Sequence, residues 1–256
     1  MKFYSRYFNA VEINSTFYRP CVPKTAEAWT KRTPEDFDFT VKVWQQFTHK
    51  KGDWTPAEVE EFKAGILPLA EAGKLGCLLF QFPSSFRQSA ETLDQLKRLL
   101  DLFGDYPKAI ELRHNSWNDV WPTLDTVGAV PAFIDEPKFK DSIRQDFEQV
   151  RGNVLYLRFH GRKFDKWWRH EHRNERYDYL YQPDELRPYS VRLKSVLGNK
   201  AIQRAYIFFN NHPSAKAVAN AVMMRAQLDV PVTTELPERL VQAYPQLLSD
   251  ENSEGV

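Results

Sequence analysis

Residues 154–160 read Val-Leu-Tyr-Leu-Arg-Phe-His, a short apolar run that ends in polar side chains. Six further runs of this kind occur along the chain: VEIN at 11–14, FDFTVKV at 37–43, GCLLFQF at 76–82, AIELRH at 109–114, VPAFID at 130–135 and AYIFFNN at 205–211. They are rich in β-branched and aromatic residues and short enough to be strands. The sequence therefore predicts seven strands with polar residues near their ends.

Segments with helical periodicity lie between these strands. In residues 90–103, four leucines and Phe103 form one apolar stripe, and residues 56–72 and 214–228 have similar spacing. A further helix is expected to begin near residue 183, and another to precede the first strand at the N-terminus. Strands that alternate with helices predict parallel pairing with right-handed crossovers.

Two α/β architectures fit this alternation, an open doubly wound sheet and a (β/α) barrel. The chain has only 10 glycines, and no glycine-rich dinucleotide or phosphate-loop motif follows a strand. Its 256 residues match the ~250 residues typical of a TIM-type barrel. We predict a single TIM-type (β/α) barrel domain over residues 1–249, with an inserted loop at about 162–182 and a frayed tail at 250–256.

Composition excludes several classes of protein. Hydrophobic residues make up 42% and charged residues 27%, as in globular domains rather than disordered chains. The net charge of +1 gives no overall attraction to nucleic acid or to an acidic membrane. Two cysteines cannot make a disulfide framework, and no signal peptide or membrane span is evident. We expect a cytoplasmic protein that requires no cofactor, and the sequence leaves its oligomeric state open.

Polar residues at the strand ends are the candidate site. Residues two apart on a strand face the same side, and a barrel enzyme places its chemistry in the lumen at the carboxyl ends of the strands. The predicted set is Glu12, Asn14, Lys42, Gln81, Glu111, Arg113, Asp135, Arg158, His160 and Asn210, with His49 just beyond the second strand. We interpret it as a small-molecule or anion site, and the alternative is a network of paired charges that stiffens the barrel mouth.

The residue types suggest roles within this set. Glu12, Glu111 and His160 are the candidates for proton transfer, and the remaining members of the set, including His49, are the candidates for substrate binding. We expect Arg113 and Arg158 to converge on one anion, because Glu111 neutralises only one guanidinium. If the chain is an enzyme, acid/base chemistry on an anionic substrate is predicted, with phosphoester or sugar-phosphate chemistry as the leading class.

A metal site is a further alternative. Glu12, Glu111, Asp135, His160 and His212 resemble the ligands of metal-dependent barrels, but arginines two residues from candidate ligands oppose a divalent cation. The sequence therefore leaves the metal question open and favours an oxyanion.

The inserted loop supports a different class of function. Between residues 162 and 176, six Lys or Arg residues face three acids, and Phe164, Trp167 and Trp168 lie among them. Basic charge combined with aromatic rings is typical of proteins that hold single-stranded nucleic acid or repair it. The other interpretations are a solvated loop with packed tryptophans, a lid over an anionic ligand, and a non-catalytic structural or interaction protein.

The strand-end motifs, taken in order, resemble those of the YecE-like family (domain of unknown function 72, DUF72). The matching stretches are residues 8–18, 41–42 with 48–49, 81–83, 111–114 with 116–117, 158–161, 177–181 and 209–212. The resemblance implies a TIM-type barrel and no established activity. Family members begin with an additional strand, so the resemblance also implies that the first strand is missing at this N-terminus.

Overall fold

The computed structural model of the chain describes residues 1–50, 54–145, 150–169, 171–198 and 201–248. The strands in these ranges are β1 (Ala10–Ile13), β2 (Asp38–Lys42), β3 (Leu75–Gln81), β4 (Lys108–Glu111), β5 (Ala129–Asp135), β6 (Val154–Phe159) and β7 (Arg204–Phe209). The helices there are α1 (Pro23–Thr30), α2 (Gln45–Thr48), α3 (Pro56–Glu71), α4 (Ala90–Leu102), α5 (Trp121–Leu124), α6 (Pro183–Leu197), α7 (Lys216–Gln227) and α8 (Glu238–Ala243).

The strand order follows the chain from β1 to β7, and the register of the described pairs is parallel. A doubly wound sheet reverses its strand order at a switch point, whereas successive strands of a (β/α) barrel are neighbours throughout. The architecture is therefore that of a TIM-type (β/α) barrel, and the predicted fold class is confirmed.

Local sequence determines where the helices begin. Thr55 caps α3, because its side chain accepts a hydrogen bond from the Glu58 amide at 3.3 Å while the Glu58 carboxylate accepts one from the Thr55 amide at 2.7 Å. Pro56 follows at the first helical position, where the missing N–H has no cost. This capping box and its proline produce the helix start that the sequence predicts.

The N-terminus differs from expectation. In place of the helix predicted before β1, the described chain has one 3₁₀ turn, Tyr4–Arg6. The Tyr4 hydroxyl donates to the Ala10 carbonyl at 3.2 Å, and its ring lies 6.3 Å from that of Phe37. The chain enters β1 within a few residues of this turn.

The chain divides into two compact units. The first comprises Met1–Ala132 and Lys140–Gln145, and the second comprises Phe133–Phe139 and Asp146–Val256. Each unit has its own apolar core, one between β1–β4 and their helices and the other around β6, β7, α6 and α7. The polar strand ends are therefore described unit by unit.

The described helices are short. The longest, α3, has 16 residues and contains two acids in succession at Glu60 and Glu61. Crossing a bilayer takes about 20 predominantly apolar residues. Within the described ranges no helix has the length and apolar character needed to cross a membrane.

Candidate functional site

The strands of the first unit separate apolar from polar side chains. Ile110 and Leu112 lie in the apolar core that faces the helices, so the alternation of the chain turns Glu111 and Arg113 to the other side. The same alternation applies to β1, where Ile13 is a core residue and Glu12 is not. The sidedness predicted for these strand ends is thus present in the first unit.

Glu111 and Arg113 form a buried ion pair. Nε of Arg113 donates to Oε1 of Glu111 at 2.8 Å, and Nη2 of the same guanidinium contacts the same oxygen. The Glu111 side chain is fully buried, and that of Arg113 is 16% exposed. The carboxylate therefore compensates the charge of the guanidinium beside it.

Three further members of the predicted set make local contacts in this unit. Gln81 is the register partner of Glu111, and its side-chain amide donates to the Phe82 carbonyl at 2.8 Å. The Asn14 amide donates to Oε1 of Glu12 at 3.0 Å. These contacts orient the polar groups at the ends of β1 and β3.

Lys42 and His49 both lie against the ring of Phe17. Nζ of Lys42 is 4.0 Å from the ring centroid, which is a cation–π contact, and the His49 ring meets the Phe17 ring edge-on at 4.8 Å. His49 is exposed and caps the C-terminus of the short helix α2. The two predicted binding residues are thus brought together by an aromatic ring.

The two cysteines of the first unit differ in exposure. Cys77, in β3, is fully buried, and burial raises the pKa of its thiol. Cys21 is half-buried, and burial raises the pKa of its thiol as well. Since the thiolate is the nucleophilic form, neither environment is that of an activated nucleophile.

In the second unit, Arg158 and His160 form the corresponding pair on β6. Leu157 and Phe159 belong to the apolar core, and Arg158 and His160 alternate with them. Both polar side chains are buried, and Nη1 of Arg158 lies 3.5 Å from Nε2 of His160. A guanidinium and an imidazole therefore meet where β6 ends.

Asn210, just beyond β7, completes this group. Its side-chain nitrogen Nδ2 lies 3.3 Å from Nδ1 of His160. An amide nitrogen only donates, so Nδ1 of the imidazole accepts this hydrogen bond. A neutral imidazole then carries its proton on Nε2, the nitrogen that lies 3.5 Å from Nη1 of Arg158. Asn210 therefore favours the Nε2–H tautomer of His160.

Asp135 lies in a different environment from the other predicted residues. Phe133, two residues earlier on β5, is in the helix-facing core, so alternation turns Asp135 toward the helices as well. There Nε and Nη2 of Arg162 donate to its two oxygens at 2.9 and 2.8 Å. The hydroxyls of Tyr181 and Tyr189 donate to the same carboxylate. Asp135 therefore anchors the segment that follows β6.

These contacts determine the ionisation of the cluster. Burial alone would raise the pKa of Asp135, but hydrogen bonds from Arg162, Tyr189 and Tyr181 outweigh it and hold the pKa below its usual value. Burial, together with the neighbouring Asp135 carboxylate, raises the pKa of Tyr181 and of Tyr189. The arrangement keeps a carboxylate charged in a buried position and both phenols neutral.

The anchored segment continues over His160. The Gly161 amide donates to the Tyr181 hydroxyl at 2.9 Å, and His160 donates its own amide to the Asp135 carbonyl at 2.8 Å. The ring of Tyr177 lies 6.2 Å from that of His160 and 5.6 Å from that of His212. Aromatic and imidazole rings therefore surround the end of β6.

Several of these participants lay outside the predicted site. Tyr181 and Tyr189 hold Asp135, Tyr177 lies beside His160, and Nδ1 of His212 is 3.0 Å from the Asn210 carbonyl. The signal for two of them was the family motif at residues 177–181, and the motif at 209–212 contains His212. Tyr189 lies within α6 and has no motif to mark it.

The metal alternative receives no support from geometry. Among the described residues, no group of three or more His, Cys, Asp or Glu side chains is arranged to hold an ion. Glu111 and Asp135 are engaged by arginines instead.

A family model described as "Protein of unknown function DUF72" matches residues 1–242. The chain belongs to the DUF72 family. This match confirms the family resemblance that the strand-end motifs indicate. The UPF0759 protein YunF of Bacillus subtilis (strain 168) is 29% identical over 253 residues, covering 93% of this chain and 89% of YunF. The UPF0759 protein YecE of Escherichia coli (strain K12) is 32% identical over 113 residues, 43% of this chain and 40% of YecE.

Solved DUF72 structures share the fold. A DUF72 family protein of Enterococcus faecalis V583 superposes with a TM-score of 0.82 at 26% identity, covering 93% of this chain and 92% of that protein. A DUF72 family protein of Thermotoga maritima MSB8 gives a TM-score of 0.77 at 32% identity, covering 87% and 85% of the two chains. These matches support the barrel architecture and carry no activity with them.

The predicted DUF72 site residues thus fall into separate local groups. Glu12, Asn14, Lys42, His49, Gln81, Glu111 and Arg113 belong to the first unit, and Asp135, Arg158, His160 and Asn210 belong to the second. The structure brings Glu111 to Arg113 and Arg158 to His160 and Asn210. The convergence of Arg113 with Arg158 on one anion stays a prediction.

Proposed function

We propose that this DUF72 protein binds an anionic small molecule at the end of β6 and performs acid/base chemistry on it. Arg158 is the anion contact, His160 is the proton-transfer group, and Asn210 holds the imidazole in one tautomer. The ligand class is a phosphorylated or carboxylated metabolite, because a guanidinium binds both groups with charge-assisted hydrogen bonds.

The observation that carries this proposal is the contact between Arg158 and His160. Their nitrogens lie 3.5 Å apart, and both side chains are almost completely buried. A buried cation beside an imidazole is the arrangement needed to bind an anion and to exchange a proton with it.

The orientation of His160 is consistent with this role. With Nδ1 accepting from Asn210, the proton of the neutral imidazole is on Nε2, which lies beside Arg158. An anion held by Arg158 is therefore adjacent to an N–H group that can donate a proton to it. A general acid must lie within hydrogen-bond reach of the group that it protonates, and the position of Nε2 is consistent with that requirement.

The Asp135 cluster supports the site from the opposite side of the sheet. Asp135 accepts from Tyr181, Tyr181 accepts from the Gly161 amide, and Gly161 directly follows His160. We assign Asp135 a positioning role rather than the ligand contact expected from its place at a strand end. In the first unit, Lys42 and Arg113 stay candidates for substrate binding, and Glu12 and Glu111 stay candidates for proton transfer.

The test compares native protein with Arg158→Met in a thermal-shift screen. The probes are inorganic phosphate and panels of phosphorylated and carboxylated metabolites. A ligand present at about 100 times its Kd stabilises the protein by about 2.7 kcal/mol, which raises Tm by about 5 °C for a chain of this size. We expect such a shift in the native protein and none in Arg158→Met.

Arg204→Met is the matched control. Arg204 is an exposed arginine at the amino end of β7, the end of that strand opposite Asn210. This variant should keep the ligand-induced shift. A shift that survives Arg158→Met, or a screen in which no phosphorylated or carboxylated compound stabilises the native protein, contradicts the proposal.

A second comparison distinguishes anion binding by Arg158 from proton transfer by His160. It uses the anion that gives the largest Tm shift. His160→Gln retains a hydrogen-bonding side chain but cannot transfer a proton at neutral pH. It should bind that anion within a few-fold of native while slowing its turnover about 10²–10⁴-fold. Equal turnover by His160→Gln and the native protein would remove His160 from the mechanism.

A further inference from the structure

A cluster of aromatic rings lies on the surface of the second unit. Phe139 stacks on Phe164 with ring centroids 4.9 Å apart and planes 28° apart, and it meets the Trp168 ring at 5.5 Å. Phe164 is 62% exposed and Trp168 is 61% exposed. We call these three residues the aromatic platform. Exposed apolar side chains that form a contiguous patch, unlike single exposed rings, mark sites of interaction.

The platform is held in place from several sides. Its neighbour Trp167 is buried and contacts the Tyr177 ring edge-on at 6.2 Å, so the two consecutive tryptophans point inward and outward. Nζ of Lys166 lies 3.0 Å from a Glu175 oxygen, and Arg162 is bound by Asp135. A surface that is already ordered loses little conformational entropy when it binds a ligand.

Positive charge accompanies each ring. Lys138 precedes Phe139, Lys163 precedes Phe164, and Arg169 follows Trp168. Lys138 and Arg169 are exposed, and Lys163 is half-buried. Two exposed acids, Asp165 and Glu171, lie in the same segment. The rings are thus directly flanked by cations, which is the charge that complements a polyanion.

We propose that the aromatic platform binds single-stranded nucleic acid, with bases stacked on Phe164 and Trp168 and phosphates held by Lys138, Lys163 and Arg169. Rings supply faces on which any base can stack, and the interleaved cations follow the phosphate backbone. A duplex hides its base faces, so the single strand is the preferred form. The platform shares no residue with the Arg158–His160 site, and this proposal does not depend on the function proposed for that site.

Fluorescence anisotropy with labelled oligothymidylate and oligouridylate of about 16 nucleotides tests the proposal. We expect binding to both strands at low salt and weaker binding to a duplex of equal length. With three phosphate contacts, log K should fall with log salt with a slope of about −2, a loss of about 20-fold between 50 and 200 mM salt. A preference between the two strands identifies DNA or RNA as the ligand.

Substitutions locate the contact on the platform. Trp168→Ala and Phe164→Ala should each weaken binding about tenfold or more, and Trp168→Phe should retain most of the affinity because it keeps a stacking face. Lys163→Gln should make the salt slope shallower by about 0.7. Tyr18→Ala removes a ring that is 56% exposed in the first unit and should leave binding unchanged.

The outcomes that overturn the proposal are distinct. The proposal is wrong if native protein that unfolds cooperatively binds neither strand at low salt. It is also wrong if Trp168→Ala binds with native affinity. The alternative occupant of the aromatic platform is a second copy of the chain. Light scattering after size-exclusion chromatography tests for such a dimer. A dimer that Trp168→Ala converts to a monomer would assign the platform to self-association instead.

Discussion

Arg113 and Arg158 each lie at the end of a strand and alternate with core residues, but their surroundings differ. Arg113 is paired with Glu111, a fully buried carboxylate. Arg158 lies 3.5 Å from the imidazole of His160. The recorded contact of Arg113 is with a carboxylate, which is a counter-ion, whereas the recorded contact of Arg158 is with an imidazole, which can transfer a proton. Two arginines in equivalent sequence patterns therefore have neighbours of different chemistry.

The largest effect is expected when the ion pair of the first unit is broken. Glu111→Gln leaves the Arg113 guanidinium without its carboxylate at a position where Glu111 is fully buried. We expect a loss of about 3 kcal/mol in the free energy of unfolding, measured by urea titration. A loss of this size would show that the pairing of Arg113 with Glu111 is required for stability.

The double variant Glu111→Gln/Arg113→Met is the control for that loss. It removes both charges, so it should recover much of the stability lost in Glu111→Gln alone. If the single and double variants lose the same free energy, the pair is not coupled and the comparison fails.

A smaller loss is expected from the backbone that follows His160. Gly161 has φ +90°, and a Cβ at this position would lie 2.8 Å from Cβ of Tyr179. Gly161→Ala should therefore cost about 2–3 kcal/mol in unfolding free energy. Gly128 also has a left-handed φ of +63° but nothing within 4 Å, so Gly128→Ala should cost only about 1 kcal/mol. Equal losses in the two variants would show that the approach of Tyr179 is unimportant.

The Asp135 cluster predicts a loss that depends on pH. Asp135→Asn should lower the free energy of unfolding by about 2 kcal/mol at pH 7, with allowance for the half-exposed Arg162. The folded pKa of Asp135 is depressed, so its contribution is present above the unfolded pKa of about 3.9 and is lost as pH falls through the folded value. Urea titrations across this range should show native and Asp135→Asn converging in acid. A difference in unfolding free energy that stays constant across this pH range would rule out the Asp135 charge as its source.

The smallest change in stability is expected from Arg158→Met. If the Arg158 guanidinium binds a ligand rather than belonging to a structural ion network, Arg158→Met should change the unfolding free energy by less than about 1 kcal/mol while abolishing the response to anions. Urea titration alongside the thermal-shift screen measures both quantities. A loss of several kcal/mol would place Arg158 in a structural ion network like that of Arg113, and the distinction between the two units would disappear.

Alternation explains which parts of this picture the sequence could predict. Glu111 and Arg113 alternate with Ile110 and Leu112, and Arg158 and His160 alternate with Leu157 and Phe159, so their sides follow from the pattern alone. In β5 every residue is buried and only Asp135 is charged, so the sequence shows no alternation of apolar and polar residues from which to assign the sides of the strand. That is why Asp135 was grouped with the lumen residues although it faces the helices.

The partners of Asp135 could not be predicted for a related reason. Arg162 is 27 residues away and Tyr189 is 54 residues away, in a loop and a helix whose approach depends on tertiary packing. The sequence showed Arg162 only as one of six basic residues in a loop. Its charge was visible, but its function as an internal anchor depends on a contact with no local signature.

Because its two thiols differ in exposure, local unfolding of the first unit can be measured by thiol alkylation. Cys77 is fully buried within β3, whereas Cys21 is half-buried, so an alkylating reagent reaches Cys77 only when the strands around it separate. Under conditions where reclosing is faster than alkylation, the Cys77 rate relative to that of an unfolded thiol measures the free energy of this separation. Mass spectrometry of the native chain can therefore follow local unfolding without any introduced label.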